Sequence, residues 1–170
     1  MKLLGAVIAG GRSRRFGSDK AEVMIGGKRL IELSISGLLS QCGTLVVCGR
    51  EEPGFTCLID RPEPDLGPLG GLNAALHHAA EGGFDAVLSS GCDIPNLPAN
   101  LAEQLAGSGA AVAADQPVVG LWPARLAADL DAFLSDGGRS LYGFAEQVGA
   151  TLVNVAPALR NINRPEDIAR

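Results

Sequence analysis

The 170-residue chain carries 14 Lys and Arg against 19 Asp and Glu, a formal net charge of −5. That balance excludes a general polyanion-binding surface, because non-specific nucleic-acid affinity depends on many phosphate-facing cations. At 46% hydrophobic and 19% charged the composition also excludes a disordered or fibrous chain. The apolar runs are too short and interrupted to cross a bilayer, and the N-terminus lacks a secretory apolar core, so no membrane association and a cytoplasmic location are expected. The length suits one domain over residues 1–170, with no internal repeat or linker.

Leu3 to Ala9, "LLGAVIA", is an uninterrupted apolar run of strand length, as expected for a central strand covered on both faces. "AGGRSRRFGSDK" follows as a loop in which Arg12, Arg14, Arg15 and Lys20 concentrate the positive charge of an acidic protein. "KRLIELSISGLLSQ" spaces Leu30, Ile31, Ser34, Ile35, Leu38 and Leu39 along one helical side and stops before Gly43. "TLVVCG" and "FTCLID" read as strands, the second ending at Asp60. The Pro- and Gly-rich "RPEPDLGPLGG" reads as a loop, with a helix beginning at Gly71 and carrying Leu72, Ala75, Leu76 and Ala79 on one face.

"DAVLSSG" is the next strand, ending near Asp93. A short helix in "PNLPANLAEQLAG" leads to a hairpin, "AAVAA" and "VVGLW" around "DQP", with Pro117 restricting the start of its second strand. Two helices follow in "PARLAADLDAFL" and "SLYGFAEQVG", then the strand "TLVNV". Asn163 is a candidate N-cap for a terminal helix, with Glu166 three residues on and Pro165 in the first turn. This alternation predicts an α/β fold, a Rossmann-like three-layer α/β/α arrangement around a mostly parallel sheet.

Ligands of open α/β sheets bind beyond the carboxyl ends of the strands, which directs attention to the opening loop, to Asp60 with "GPLGG", and to "SSGCDIP" around Asp93. A basic loop and two carboxylates on one rim suit a metal-bound polyphosphate. The loop matches neither G-x-x-x-x-G-K-[ST] nor G-x-G-x-x-G. Gly10 and Gly11 would let backbone amides approach an anion, and Arg14, Arg15 and Lys20 would neutralise it. Taken singly, Asp60 and Asp93 read as turn or cap carboxylates, and the basic loop as a solvated turn. Cys42, Cys48, Cys57 and Cys92 show no zinc or redox spacing and read as buried free thiols. Adjacent His77 and His78 share no helix face and read as surface or packing residues.

Together these stretches carry a resemblance. "VIAGGRSRRFGSDKAEVMIGGKRLIE" resembles the signature loop of the MobA-type nucleotidyltransferases, L-A-G-G-x-S-x-R-M-G-x-D-K. "LIDRPEPDLGPLGGLNAAL", "SSGCDIPNLP", "GGRSL" and "NINRPEDI" resemble four further segments of that family, in order along nearly the whole chain. The resemblance implies a fold of the nucleotide-diphospho-sugar transferase type. It implies an activity too: molybdenum cofactor guanylyltransferase, joining GMP from Mg²⁺-bound GTP to the phosphate of molybdopterin and releasing pyrophosphate. Molybdoenzymes or other cofactor-biosynthesis proteins are the further partners it suggests.

By the same resemblance Ile8, Ala9, Gly10 and Gly11 line the nucleotide site through backbone atoms, and Lys20 meets the phosphates. Asp60 contacts the nucleotide, Asp93 binds nucleotide and Mg²⁺, and Arg14 and Gly17 match the signature, with Arg14, Lys20 and Asp93 as the catalytic candidates. Arg139, Asn161 and Asn163 face the pterin. Three departures stand out: Phe16 in place of Met, Cys48 and Gly49 where the family often has a nucleotide-contacting Asn, and a short hairpin at "AADQPVVGLW". A molybdopterin cytidylyltransferase, a sugar-phosphate nucleotidyltransferase, and a catalytically silent nucleotide- or partner-binding domain remain the alternatives.

Overall fold

The computed structural model describes residues 1–10, 19–163 and 165–169. The apolar runs become the strands β1 (Leu3–Ile8), β4 (Leu45–Cys48) and β6 (Ala86–Gly91), while β5 (Thr56–Leu58) lies at one edge. These four run parallel in the order β5-β4-β1-β6, and the sheet continues through β8 (Gln116–Pro123) and β7 (Ala111–Ala113) to β9 (Thr151–Val153). β8 is antiparallel to both of its neighbours, and β9 is parallel to β7. A small hairpin outside this sheet, β2 (Met24–Ile25) with β3 (Lys28–Arg29), turns at Gly26 and Gly27, both at positive φ.

Two apolar layers cover the sheet, as strands buried on both sides require. Leu4 and Ala6 of β1 pack with Leu69, Leu72 and Leu76 of α2 (Pro68–Glu81), Leu130 of α4 (Ala127–Ser135) and Phe144 of α5 (Leu141–Gln147). Val7 and Ala9 point the other way, toward Ile31, Ile35 and Leu38 of α1 (Leu30–Cys42) and Leu101 of α3 (Leu101–Gln104). The three-layer α/β/α arrangement is therefore present. Among the described residues no helix is long and apolar enough to cross a membrane.

Four boundaries differ from the sequence reading for physical reasons. α2 begins at Pro68 instead of Gly71, because proline is tolerated in a first turn whose N–H groups lack intrahelical partners, and Gly67 supplies the entry at φ +65°. The helix expected from Lys28 starts at Leu30, since Lys28 and Arg29 pair in the β2–β3 hairpin. β8 starts at Gln116 and contains Pro117, which the register accommodates: β7 and β8 slip between Val112 and Ala113, leaving Pro117 in a bulge. The terminal helix is a 3-10 turn, Pro165–Ala169. There the N–H of Asn163 donates to the Asp167 carboxylate at 3.0 Å, so Glu166 is not the capping partner and the Asn163 amide is used elsewhere.

Candidate active site

The registers Ile8↔Cys48 and Ile8↔Gly91 end β1, β4 and β6 level with one another. The residues that follow, Ala9 and Gly10, Gly49 and Arg50, Cys92 and Asp93, therefore emerge side by side. A cleft of about 320 Å³ opens there. Of the residues picked out in the sequence it gathers Ile8, Ala9, Gly10, Lys20, Asp60, Asp93 and Asn161, together with Gly67 and Pro68 at the start of α2. Gly11, Arg14 and Gly17 lie outside the described residues.

Lys20 is delivered to the cleft by a 3-10 turn, Lys20–Glu22, whose N-cap is Asp19: Oδ1 of Asp19 accepts from the Ala21 N–H at 3.1 Å. The Lys20 ammonium lies 3.1 Å from Oδ2 of Asp93 and donates to Oδ1 of Asn163 at 3.3 Å. Asp93 is held in turn by its backbone, whose carbonyl accepts from the Ile162 N–H at 2.9 Å and ties the end of β6 to the C-terminal segment. Gly91 makes room for this carboxylate, because a Cβ at that position would lie 2.6 Å from Oδ1 of Asp93. Lysine and carboxylate are each about 18% exposed, so the pair is accessible to a competing anion or cation.

Asp60 stands across the cleft against the first turn of α2. A Cβ on Gly70 would come within 2.9 Å of Asp60 Oδ2, and a Cβ on Gly71 within 3.1 Å of the Cys48 Cβ and 3.2 Å of Ile8 Cγ2. The glycines of "GPLGG" thus have separate tasks: Gly67 turns the chain, Gly70 admits the carboxylate, and Gly71 lets the helix start pack on the ends of β1 and β4. Partial burial raises the Asp60 carboxyl above the ordinary aspartate range, and Asp65 adds to this by like-charge repulsion.

Cys48 and Gly49, a departure from the family pattern, have a structural use. Gly49 sits at φ +87°, and a Cβ there would fall 2.4 Å from the Gly10 Cα. The loops after β1 and β4 therefore touch backbone to backbone. Burial pushes the Cys48 thiol up to about 12, with Asp60 and Cys57 adding to it, so this cysteine is a neutral packing group. Beside the cleft, sharing Gly10 and Asp60 with it, lies a second hollow of about 360 Å³ bordered by Gly49, Arg50, Leu58 and Pro64.

The residues expected to face a pterin are dispersed. Asn161 lines the cleft and donates to Oε1 of Gln116 at 3.1 Å, and Asn163 reaches the site through Lys20. Arg139 is not among the cleft residues; its guanidinium donates to the carbonyls of Leu134 (3.0 Å) and Gly138 (2.6 Å) at the end of α4. His77 pairs with Asp131 at 2.9 Å and is likewise not a cleft residue. Among the described residues no three His, Cys, Asp or Glu side chains group to cage a metal. A single hard carboxylate such as Asp93 fits a Mg²⁺ ion that keeps phosphate oxygens and water as its other ligands.

Comparison with known proteins shows the family and the fold. Residues 5–150 match the family model of the MobA-like NTP transferase domain. A molybdenum cofactor guanylyltransferase of Cereibacter sphaeroides is 37% identical over 184 residues, an alignment covering 100% of this chain and 95% of the relative. One of the same name from Rhodobacter capsulatus is 33% identical over 181 residues, with 100% and 95% covered. Among solved structures, molybdopterin-guanine dinucleotide biosynthesis protein A of Archaeoglobus fulgidus superposes with a TM-score of 0.74 at 22% identity, covering 99% of this chain and 95% of that one. The 2-C-methyl-D-erythritol 4-phosphate cytidylyltransferase of Thermus thermophilus gives 0.71 at 16% identity, covering 99% and 95%. At those identities the two structures speak for the fold alone.

Proposed function

Because this chain belongs to the MobA-like NTP transferase domain family, we propose that it is a guanylyltransferase, moving GMP from Mg²⁺-bound GTP onto the terminal phosphate of molybdopterin. The observation that carries the reading is the accessible Lys20–Asp93 pair at the strand ends, within a chain alike over its full length to proteins of that activity.

In the reaction a phosphate oxygen of molybdopterin forms a bond to the α-phosphorus of GTP. The bond from that phosphorus to the α–β bridging oxygen breaks, and its electron pair leaves with pyrophosphate. A phosphate monoester has a second pKa of about 6, so the nucleophile is largely ionised at neutral pH and requires no strong base. The protein's work is to place two anions in line and to balance the charge on the α-phosphate and the departing pyrophosphate.

Each group has a part. Ile8, Ala9 and Gly10 border the nucleotide through backbone atoms, joined in the motif by Gly11, with Asp60 on the nucleoside side. Lys20 would shift its ammonium from Asp93 onto the triphosphate, and Asp93 is the residue that would hold Mg²⁺. When bound, the ion neutralises phosphate charge and orients the triphosphate. Arg14 adds a further cation on the strength of the motif. On the acceptor side Asn161 and Asn163 offer amides; Arg139 would have to leave two carbonyls to reach the substrate. The dinucleotide product would pass to molybdoenzymes or to other cofactor-biosynthesis proteins.

The test is pyrophosphate release with molybdopterin as acceptor and GTP, CTP, ATP or UTP as donor in the presence of Mg²⁺. GTP should be used and bound in clear preference. A much tighter CTP would reassign the protein as a cytidylyltransferase, and GTP binding without any pyrophosphate release would leave it a silent nucleotide-binding domain.

A further inference from the structure

Gly10 and Asp19, the described residues on either side of positions 11–18, each meet one of the two adjacent residues that follow β4. At one end Gly49 presses its backbone on Gly10. At the other, Arg50 grips the turn that carries Lys20 on both flanks: Nη1 lies 2.7 Å from Asp19 Oδ2, and Nη2 lies 2.7 Å from Glu22 Oε1. Asp19 uses its second oxygen to cap the turn, and Glu22 Oε1 also accepts from Arg29 Nη1 at 3.0 Å. Arg29 is anchored to the buried Glu52, two residues beyond Arg50. Lys20 therefore hangs between two carboxylates whose positions are set from the β4–β5 connection.

We propose that Arg50 is the positioning residue for Lys20: its forked guanidinium sets where the Lys20 ammonium stands to receive the triphosphate. The fork is what the task needs, since a planar guanidinium can meet two carboxylates at fixed separation and a single ammonium cannot. Arg50 is itself about 19% exposed while Asp19 and Glu22 are about half exposed, so what holds the turn is the two-point geometry of the fork and not burial of the pairs. The proposal rests on the phosphate role given to Lys20 above. The competing account is that Arg50, which also borders the hollow beside the cleft, meets the nucleotide directly with its own charge.

A double-mutant cycle on the full chain separates the two, read as the dissociation constant of Mg²⁺-bound GTP by titration calorimetry without acceptor. Arg50→Ala should weaken binding about tenfold in the wild-type background and have almost no effect in the Lys20→Ala background. Arg50→Lys should recover part of the loss. Equal losses in both backgrounds, or unchanged affinity in folded Arg50→Ala, would overturn the proposal. Unchanged affinity in Lys20→Ala would instead remove the phosphate role on which it rests. If Arg50→Ala fails to give the wild-type circular dichroism spectrum, Arg50→Lys and Glu22→Gln carry the same cycle with smaller expected effects in the same direction.

Discussion

The two halves of the sheet build their share of the rim by different means. On the parallel side, β5-β4-β1-β6, the strand ends are packed around backbone at glycines: a Cβ on Gly49 would collide with Gly10 and one on Gly70 with Asp60, while one on Gly71 would press on Cys48 and Ile8. On the side of β8, β7 and β9 the strands slip by a bulge, and the rim is furnished by amide side chains, Asn161 on Gln116 and Asn163 on Lys20. Backbone walls leave almost no freedom, which suits a triphosphate common to every turnover. Side-chain walls can be exchanged without disturbing the sheet, which suits an acceptor that differs between related enzymes.

This contrast can be broken most forcefully at Asp93. Asp93→Ala should lower Mg²⁺-dependent turnover by about a hundredfold or more while leaving thermal unfolding near wild type; full activity would remove the metal role. Next in size is Gly49→Ala, which combines an unfavourable φ with a Cβ placed against Gly10, and should cost about 2–4 kcal/mol in urea unfolding. Gly43→Ala is its control, with φ +73° but open space around it, and should cost only about 1 kcal/mol. Equal losses at the two glycines would mean that the touching loops contribute nothing. On the acceptor side, Asn161→Ala should raise the KM for molybdopterin about three- to tenfold without altering GTP affinity, as for the loss of a single hydrogen-bonding group. An equal effect on GTP would erase the distinction between the halves.

The smallest effect is at Asp60. Its carboxyl is raised in the folded protein, chiefly by burial, so the folded state holds the proton more tightly than the unfolded state does. Stability is then lost as pH rises from the ordinary aspartate range through the raised folded value, and the ionised group opposes folding at neutral pH. Asp60→Asn should therefore raise the Tm slightly at neutral pH, with the gain vanishing on acidification to below the ordinary aspartate range. A lower Tm at neutral pH would show that Asp60 stabilises the fold by pairing instead.

Periodicity and strand length are enough to read the central strands, the helical faces and the positions of Asp60 and Asp93 beyond strand ends, while Lys20 is legible only through the basic segment and its motif. Short-range signals could not show what depends on distant chain. Gly49 looked like a missing asparagine because its use is a contact with Gly10, 39 positions earlier in the sequence, and Arg50 carried no motif because its partners lie in the Lys20 turn. Pro68 reads as loop in the sequence because proline marks both a break and a first turn, and Gly67 decides between them only through its φ. Arg139 resembled a substrate residue in its motif, but its guanidinium is committed to the end of α4.

The level ending of β1, β4 and β6 has a consequence for folding as well as for chemistry. Gly10, Gly49, Asp60, Asp93 and Asn163 belong to segments spread along the chain, and parallel pairing brings them together only after long crossovers have closed. No fragment of the sheet presents the cleft. GTP can thus bind only molecules in which all three strands are in register, and by mass action it should draw a partly assembled population toward the complete sheet. The same alignment of strand ends thus couples nucleotide affinity to sheet assembly, so a ligand bound only there would stabilise the assembled sheet in proportion to the logarithm of its concentration.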